Sequence, residues 1–491
     1  MPTHPEVVRL NLEHYRKQAK ALLKAAKLGD PAALKRLVTP TPALHDAQFV
    51  IAREQGFSNW PRFKAFIIDS NLDFQQLTDA FIGAAVSNGK RAEEMLQAHP
   101  ALVRAGFYVA LVLGYAAAVE HAIEHQPELL NAKTGPQHCE PLLYVCFSRF
   151  ANPTSSYSAG LTETVRVLLR HGANPNPFYL FENRTDMPLS CLYGATGLNN
   201  NVEMGRALLD AGANPNDNES LYHSLEHPDL ACTRLLLERG ATALGTNALK
   251  HVLDREEIEG LKLLLAAGAD PNETNDRGET ALHWAVWRGR SEEIARLLVA
   301  GGANLNTKRN DGRTAYALAA ISGQTQIAEL LRKRGANTEL QTLDQFIASR
   351  IASANHGPAS VSMPSGQERL LSDLTQGHHT RSVSALLDAG TLIDARGEAG
   401  GTALHWACWK GYADLVKLLI DRGAPLTVLD TEFHATPAGW FHHGTSNSPD
   451  GGAHAEVARL LIAANAPMEG CNTPTGNAEV DAILREHKLI E

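Results

Sequence analysis

The chain has 491 residues, which is too long for one compact core, so several domains or an elongated array are expected. Its hydrophobic share of 44% is ordinary for a soluble protein, and its formal net charge of -9 argues against nucleic-acid binding along the whole chain. Six scattered cysteines without a C-x-x-C motif exclude a disulfide scaffold and indicate a reduced, cytoplasmic protein. The first residues, M-P-T-H-P-E-V-V-R-L, show no secretory signal.

The first 70 residues differ from the rest, with 11 Lys/Arg against 6 Asp/Glu. Residues 8–27 predict an amphipathic helix with an apolar stripe that consists of Leu12, Tyr15, Ala19 and Leu22. Shorter helical patterns follow at 29–37 and 45–67. We expect this helical leader to cover the apolar end of the segment that follows, because the ends of stacked arrays need a cap.

A repeated pattern occupies the rest of the chain. It consists of an apolar pair, a short spacer and Gly-Ala, as in L-L-L-A-A-G-A-D-P-N at 263–272. Its glycines fall at positions 172, 212, 240, 268, 302, 335, 390 and 423. Several spacings lie close to 33 residues, which predicts an array of repeats. Weaker copies are expected at 84–97 and 112–123. The apolar stretch at 105–119 is shorter than the about 20 residues of a membrane span.

Ten residues occur twice almost unchanged, as T-A-L-H-W-A-V-W-R-G at Thr280–Gly289 and T-A-L-H-W-A-C-W-K-G at Thr402–Gly411. The threonine can cap the start of a short helix, and the glycine can end it. A second helix is expected after each glycine, because apolar residues recur at i, i+3 and i+4. Polar stretches at 274–278 and 308–312 suit turns between helix pairs.

On these residues the chain resembles the ankyrin-repeat family, whose signature is T-P-L-H-x-A. A looser third match is T-P-A-G-W-F at Thr436–Phe441. The resemblance implies an all-α ankyrin-repeat solenoid of helix-turn-helix repeats with short hairpin turns. The leader resembles one that is common in bacterial ankyrin-repeat proteins.

The spacings predict four segments. A 55-residue gap between two of the glycines marks an insertion that is rich in Ser, Gly and Pro. The segments are a helical leader or cap at 1–70, a first stack of repeats at 75–340, an insertion or loop at 341–368, and a second stack with a C-terminal cap at 369–491. A longer connection is expected at 176–187, and another polar insertion is expected at 444–453.

The tryptophans of the doubled signature suggest a binding surface. Trp284 and Trp406 are expected in the core, where the resemblance also places His283 and His405 in structural hydrogen bonds. Trp287 and Trp409 are expected on the concave face, although they could instead merely pack on adjacent repeats. Trp and Arg are enriched in interface hot spots. The candidate protein-binding residues are Trp287, Arg288, Trp409, Lys410, Asp276, Arg277, Arg309, Glu432 and Phe433.

The leading functional hypothesis is a non-catalytic, monomeric scaffold that binds another protein and needs no cofactor or metal. The phosphate-binding and nucleophile motifs of common enzymes are absent from the sequence. One alternative is a metal-dependent hydrolase that uses His121, Glu124 and His125, which match H-x-x-E-H. The other is nucleic-acid binding through the basic leader. A histidine cluster near the last repeat lacks ligand spacing and comprises His434, His442, His443 and His454.

Overall fold

The computed structural model describes residues 10–37, 39, 42–180, 188–352, 361, 367, 369–448 and 452–490. The chain divides into two compact units, Met1–Ala241 and Thr242–Glu491. Within the described residues, 28 α-helices accompany a single two-stranded sheet, so the predicted all-α architecture is confirmed. No helix of this part is both long enough and apolar enough to span a bilayer.

The first unit contains fourteen α-helices among its described residues. They are, as α1 to α14 in chain order, Leu12–Lys27, Pro31–Leu37, Leu44–Glu54, Trp60–Ser70, Phe74–Ser87, Gly89–Ala98, Phe107–Leu113, Ala116–His125, Pro141–Phe147, Ser158–Arg170, Cys191–Tyr193, Val202–Asp210, Ser220–Ser224 and Ala231–Glu238. Short 3-10 helices span Pro100–Arg104, Pro127–Asn131 and Arg149–Ala151, and a π-helix spans Gly194–Leu198.

The leader is helical, as predicted, and it has a core of its own. Helices α1 to α4 bury apolar side chains that include Leu22, Ile51 and Phe63. Its last helix reaches the next pair of helices through polar groups, since Arg62 Nε lies 2.9 Å from Glu94 Oε1 and Arg91 forms an ion pair with the buried Asp69. Ion pairs therefore join the leader to helix α6.

A β-hairpin interrupts the repeats of the first unit. Strand β1 is Phe178–Leu180 and strand β2 is Pro188–Ser190, and Tyr179 pairs with Leu189 in antiparallel register. Strand β1 lies within the segment that the sequence predicts as a longer connection, 176–187, and strand β2 begins directly after it. Residues 181–187 lie outside the described part of the chain.

The second unit consists mainly of helix pairs. Its helices α15 to α28 are, in chain order, Ala248–Asp254, Ile258–Ala266, Ala281–Trp287, Glu292–Ala300, Ala315–Ile321, Thr325–Lys333, Thr342–Ala352, Arg369–Gln376, Thr380–Asp388, Ala403–Lys410, Ala413–Asp421, Pro437–Asn447, His454–Ala463 and Ala478–Glu486. A 3-10 turn spans Glu398–Gly400.

The recurring G-A-N-x-N sequence links one repeat to the next. Gly302 ends α18 with a φ of +94°, a conformation that favours glycine. Its carbonyl oxygen accepts a hydrogen bond of 3.0 Å from Nδ2 of Asn272 in the preceding repeat. The Oδ1 atom of Asn272 accepts the backbone N–H of Asn304 at 2.6 Å. One asparagine thus satisfies backbone groups that the end of the next helix pair would otherwise leave unpaired.

The predicted insertion at 341–368 begins with a helix, because α21 occupies Thr342–Ala352. Of the residues after this helix, 353–368, only 361 and 367 lie within the described part. Helix α22 follows and is buried on every side, since Leu370, Ser372, Asp373 and Gln376 are each 2% exposed or less. The helix that follows the predicted insertion is therefore enclosed by its neighbours.

Candidate protein-binding surface

The threonine and histidine of the doubled signature belong to the fold. Nδ1 of His283 lies 2.8 Å from Oγ1 of Thr280, and Nε2 lies 3.2 Å from the backbone oxygen of Arg313 in the next repeat. The second copy is equivalent, because Nε2 of His405 lies 3.1 Å from the oxygen of Ala435. Burial lowers the pKa of His283 to about 4, and it also lowers the pKa of His405. The neutral imidazole ties each repeat to its successor.

The two tryptophans of the first copy have exchanged the environments that the sequence predicts. Trp287, expected on an exposed face, is only 1% exposed and its indole N–H has no partner. Trp284, expected in the core, is half-buried and donates from Nε1 to Asp254 Oδ1 at 2.9 Å. The prediction that Trp287 lies on an exposed face is therefore wrong. The alternative that its indole only packs within the fold agrees with this burial.

Residues that follow the insertion cover the end of α17. Nε2 of His379 lies 3.2 Å from the backbone oxygen of Trp287, and a Cβ atom on Gly377 would lie 2.1 Å from the same oxygen. Arg288 is held as well, since its guanidinium carbon lies 4.4 Å from the Trp287 ring centroid and its Nε lies 3.3 Å from Asp254 Oδ1. The side chain of Arg288 is 14% exposed.

Two arginines, from the turns before α17 and α19, contact the buried helix α22. Arg277, which is half-buried, forms an ion pair with Asp373 of α22. Arg309 is 5% exposed, and its Nη1 lies 2.8 Å from Glu279 Oε1 and 3.4 Å from Asp373 Oδ2. The prediction that Arg309 lies on an open turn tip is therefore wrong about its exposure, because carboxylates from three segments, including Asp311, enclose it.

The second copy is covered in a similar way. Trp409 is half-buried, and its backbone oxygen lies 3.1 Å from Nε2 of His454. Lys410, expected at the surface, is 5% exposed, and its Nζ lies 4.9 Å from the Trp409 ring centroid. The prediction that Lys410 lies at the surface is therefore also wrong. Trp406 is half-buried and packs edge-on against Trp440 with ring centroids 5.0 Å apart.

Three of the nine candidates are exposed, and two of them share one turn. Asp276, Glu432 and Phe433 form the exposed group, and the Phe433 side chain is 64% exposed. The turn between α25 and α26, residues Leu429–Phe433, is named here the Phe433 tip. Leu429 at its start is a second apolar residue, 48% exposed.

The Phe433 tip is organised around a buried carboxylate. Asp430, 2% exposed, accepts the backbone N–H of Glu432 at 2.9 Å and that of Ala435 at 2.8 Å. It also accepts the backbone N–H of Phe433. Although burial opposes ionisation, these hydrogen bonds lower the pKa of Asp430 to about 2. The sequence prediction did not include Asp430. The available signal was the position of this aspartate two residues before E-F-H-A, because aspartates in turns commonly accept backbone N–H groups.

The preceding turn also supports the tip. Nη1 of Arg396 donates to the backbone oxygen of Leu429 at 2.9 Å and to that of Gly400 at 2.7 Å. Gly400 has a φ of +67°, and a Cβ atom there would lie 1.7 Å from Thr431 Oγ1. The backbone of the tip is thus held in place while Phe433 remains exposed.

The residues of the hydrolase alternative do not form a pocket. His121, Glu124 and His125 are exposed on α8, and the two imidazole rings stack with centroids 4.1 Å apart. Nδ1 of His125 lies 2.8 Å from the backbone oxygen of His121. Nowhere in the described residues do three His, Cys, Asp or Glu side chains come together in a way that could hold a metal. The alternative gains no support.

The other histidines near the last repeat are separately engaged or exposed. His454 is buried against Trp409, as described above. Nε2 of His442 lies 2.7 Å from the backbone oxygen of Thr473. His434 and His443 are exposed.

Two family models match the second unit. One, described as ankyrin repeats in three copies, covers residues 248–342, and the other, described as ankyrin repeats in many copies, covers residues 374–420. An ankyrin repeat domain from Acinetobacter baumannii AYE is 30% identical over 32% of this chain and 88% of that chain, with a TM-score of 0.29. The chain belongs to the ankyrin-repeat family.

Other ankyrin-repeat structures are similar over parts of this protein. The ankyrin repeat protein EF0377 is 28% identical over 36% of this chain and 92% of that chain, with a TM-score of 0.29. The human ASB11 ankyrin repeat domain is 22% identical over 49% of this chain and 97% of that chain, with a TM-score of 0.24. Ankyrin repeats are generally modules for protein-protein interaction, so a scaffold role agrees with the family.

Proposed function

We propose that this ankyrin-repeat protein is a non-catalytic scaffold that binds another protein through the Phe433 tip. The observation that carries the proposal is an aromatic side chain that is 64% exposed on a backbone held by the buried Asp430. A fixed backbone reduces the entropy that a binding loop loses when it orders against a partner. Exposed aromatic residues at fixed positions are common energetic centres of interfaces.

The rest of the proposed surface surrounds this phenylalanine. Leu429 adds apolar area on one side, and the exposed Glu432 adds a negative charge next to it. We expect a partner with an apolar pocket for Phe433 and a basic residue near Glu432. The six cysteines are free, buried thiols, which supports a reducing compartment such as the cytoplasm for this scaffold.

The proposal is tested by quantitative affinity purification from the native cell with the full-length chain. We expect Phe433→Ala to remove a specific set of bound proteins, because it deletes the central apolar contact without altering the buried Asp430. A charge reversal, Glu432→Lys, is expected to weaken the same set.

The chain offers a matched control. Leu244 is 68% exposed in another turn of the same unit, so Leu244→Ala removes a similar apolar surface elsewhere. The proposal requires that Leu244→Ala retain the partners that Phe433→Ala loses. If a folded Phe433→Ala variant retains every partner of the wild type, this tip is not the binding surface.

A further inference from the structure

The first unit contains a cavity of about 590 Å³, which is unrelated to the Phe433 tip. Its volume lies within the range of about 300–1,000 Å³ that is typical of small-molecule sites. Helix α5 forms one wall through Val86, and α9 forms another through Tyr144 and Phe147. Tyr193 closes a third side. The walls are thus mostly aromatic and aliphatic.

The β-hairpin provides the remaining wall. Tyr179 and Leu189 are directly opposite each other across the two strands, and both line the cavity. The neighbours of Tyr179 point the other way, as strand geometry requires, and Phe178 is 52% exposed. A segment inserted between two repeats therefore turns an open repeat surface into a pocket.

Among the described residues that line this apolar cavity, Arg149 is the one cation. Its Nε atom is buried and has no hydrogen-bond partner. In the described part of the chain, no carboxylate forms an ion pair with it, and Glu140, which follows the lining residue Cys139, is paired with Lys133 at 3.5 Å. Burial lowers the pKa of Arg149, yet a guanidinium remains charged at neutral pH. A partly buried charge without a counter-ion is costly, and such groups concentrate at functional sites.

Packing explains where the arginine stem lies but not why the residue is an arginine. A Cβ atom on Gly89 would lie 2.8 Å from Cβ of Arg149, so the start of α6 leaves room for this stem. An apolar side chain of similar length would fill the same space without the cost of an unpaired charge. The polar group of Tyr144 is already satisfied, because its hydroxyl donates to the oxygen of Thr134 at 2.9 Å.

We propose that this cavity binds a small organic carboxylate with a flat apolar body. The aromatic walls would take the body, and the guanidinium of Arg149 would pair with the carboxylate. The planar fork of arginine matches a carboxylate with two parallel hydrogen bonds. Because Arg149 is the single cation in the described part of the lining, a ligand with one negative charge fits it best.

The test uses 2-naphthoate as the probe and the neutral 2-naphthamide as its uncharged counterpart, with the full-length chain. Isothermal titration calorimetry is expected to show saturable binding of one naphthoate per chain. The amide should bind about tenfold more weakly or worse, since it lacks the charge-assisted pair. Arg149→Met is expected to reduce naphthoate affinity to the level of the amide while leaving amide affinity unchanged.

Two further variants complete the design. Arg166→Met removes an exposed arginine of α10 and is expected to leave both affinities unchanged. Ser87→Trp places an indole at the rim of the cavity and is expected to abolish binding of both probes, so the proposal stays testable if Arg149→Met misfolds. Equal affinities for the two probes, naphthoate binding that survives Arg149→Met or Ser87→Trp, or no binding at all would each overturn the proposal.

Discussion

The carboxylate of Asp430 accepts the indole N–H of Trp440 at 2.9 Å, and both residues are buried. The same carboxylate accepts the backbone N–H groups of Glu432, Phe433 and Ala435. Asp430 therefore joins the exposed turn to the core of the last complete helix pair. Because the candidate binding residue lies in this turn, its position depends on a residue that no partner would contact.

Replacing Asp430 with alanine should destabilise the second unit. Four donors lose their acceptor, and the loss is expected to be about 2–3 kcal/mol because hydrogen bonds to charged groups are strong. Urea unfolding followed by tryptophan fluorescence measures it. Asp276→Ala, which removes an exposed carboxylate, serves as the control and should change stability by less than about 0.5 kcal/mol. Equal stability of the two variants would contradict this role of Asp430.

Acid should weaken the same turn. The folded-state pKa of Asp430 is about 2, below the value of about 3.9 for a free aspartate. Its stabilising contribution is therefore present above about pH 4 and is lost as the pH falls towards 2. Unfolding curves collected between pH 5 and 2 should show a steeper loss of stability for the wild type than for Asp430→Asn. Parallel curves would rule out this linkage.

Two buried histidines, His283 of the signature and His379 after α22, predict a separate pH dependence. Burial holds the folded-state pKa of His283 at about 4 and that of His379 at about 4, whereas an unfolded histidine titrates near 6.5. The unfolded chain thus binds more protons, so stability is full above about pH 6.5 and declines as the pH falls towards 4. Thermal unfolding at pH 7.5 and 5.0 measures this decline. It should shrink in His283→Gln and remain in His443→Gln, which alters an exposed histidine.

Replacing Trp287 should lower the stability of the fold, and its effect should not be limited to a binding surface. The side chain is 1% exposed, so Trp287→Ala is expected to cost about 3–5 kcal/mol. Phe433→Ala, by contrast, should cost about 1 kcal/mol or less, because the side chain is 64% exposed and meets Trp440 only edge-on, with ring centroids 6.1 Å apart. Circular dichroism melting curves of both variants provide the comparison. A fully stable Trp287→Ala protein would show that this residue is not part of the core.

The turn after α22 leaves no room for a side chain at Gly377. Its backbone does not adopt a positive φ, so the constraint is space, because a Cβ atom would lie 2.1 Å from the oxygen of Trp287. Gly377→Ala should therefore cost about 1–3 kcal/mol through overpacking. Gly83→Ala is the control, since a Cβ atom there meets only Gln137 Nε2 at 3.4 Å. Comparable melting temperatures for the two variants would refute the close contact.

The repeated glycines and the doubled signature were sufficient to predict the helix pairs, because local rules act on them. Threonine at a helix start, glycine at a positive φ and apolar spacing are properties of a few neighbouring residues. The hydrogen bonds of His283 and His405 followed from the family resemblance. Of the candidate surface, the exposed positions of Asp276, Glu432 and Phe433 agree with the prediction that turn tips face solvent.

The sequence by itself therefore determined the repeat architecture and the turns. Only the tertiary structure decided which of the remaining candidate side chains are covered by other segments. Trp287 and Arg309 occupy positions that are open in an isolated repeat, but Gly377, His379 and Asp373 cover them from a segment more than 60 residues away in the chain. The cavity beside Arg149 likewise exists only because a hairpin returns over α9. Burial depends on contacts between distant segments, and no local pattern encodes which segments meet.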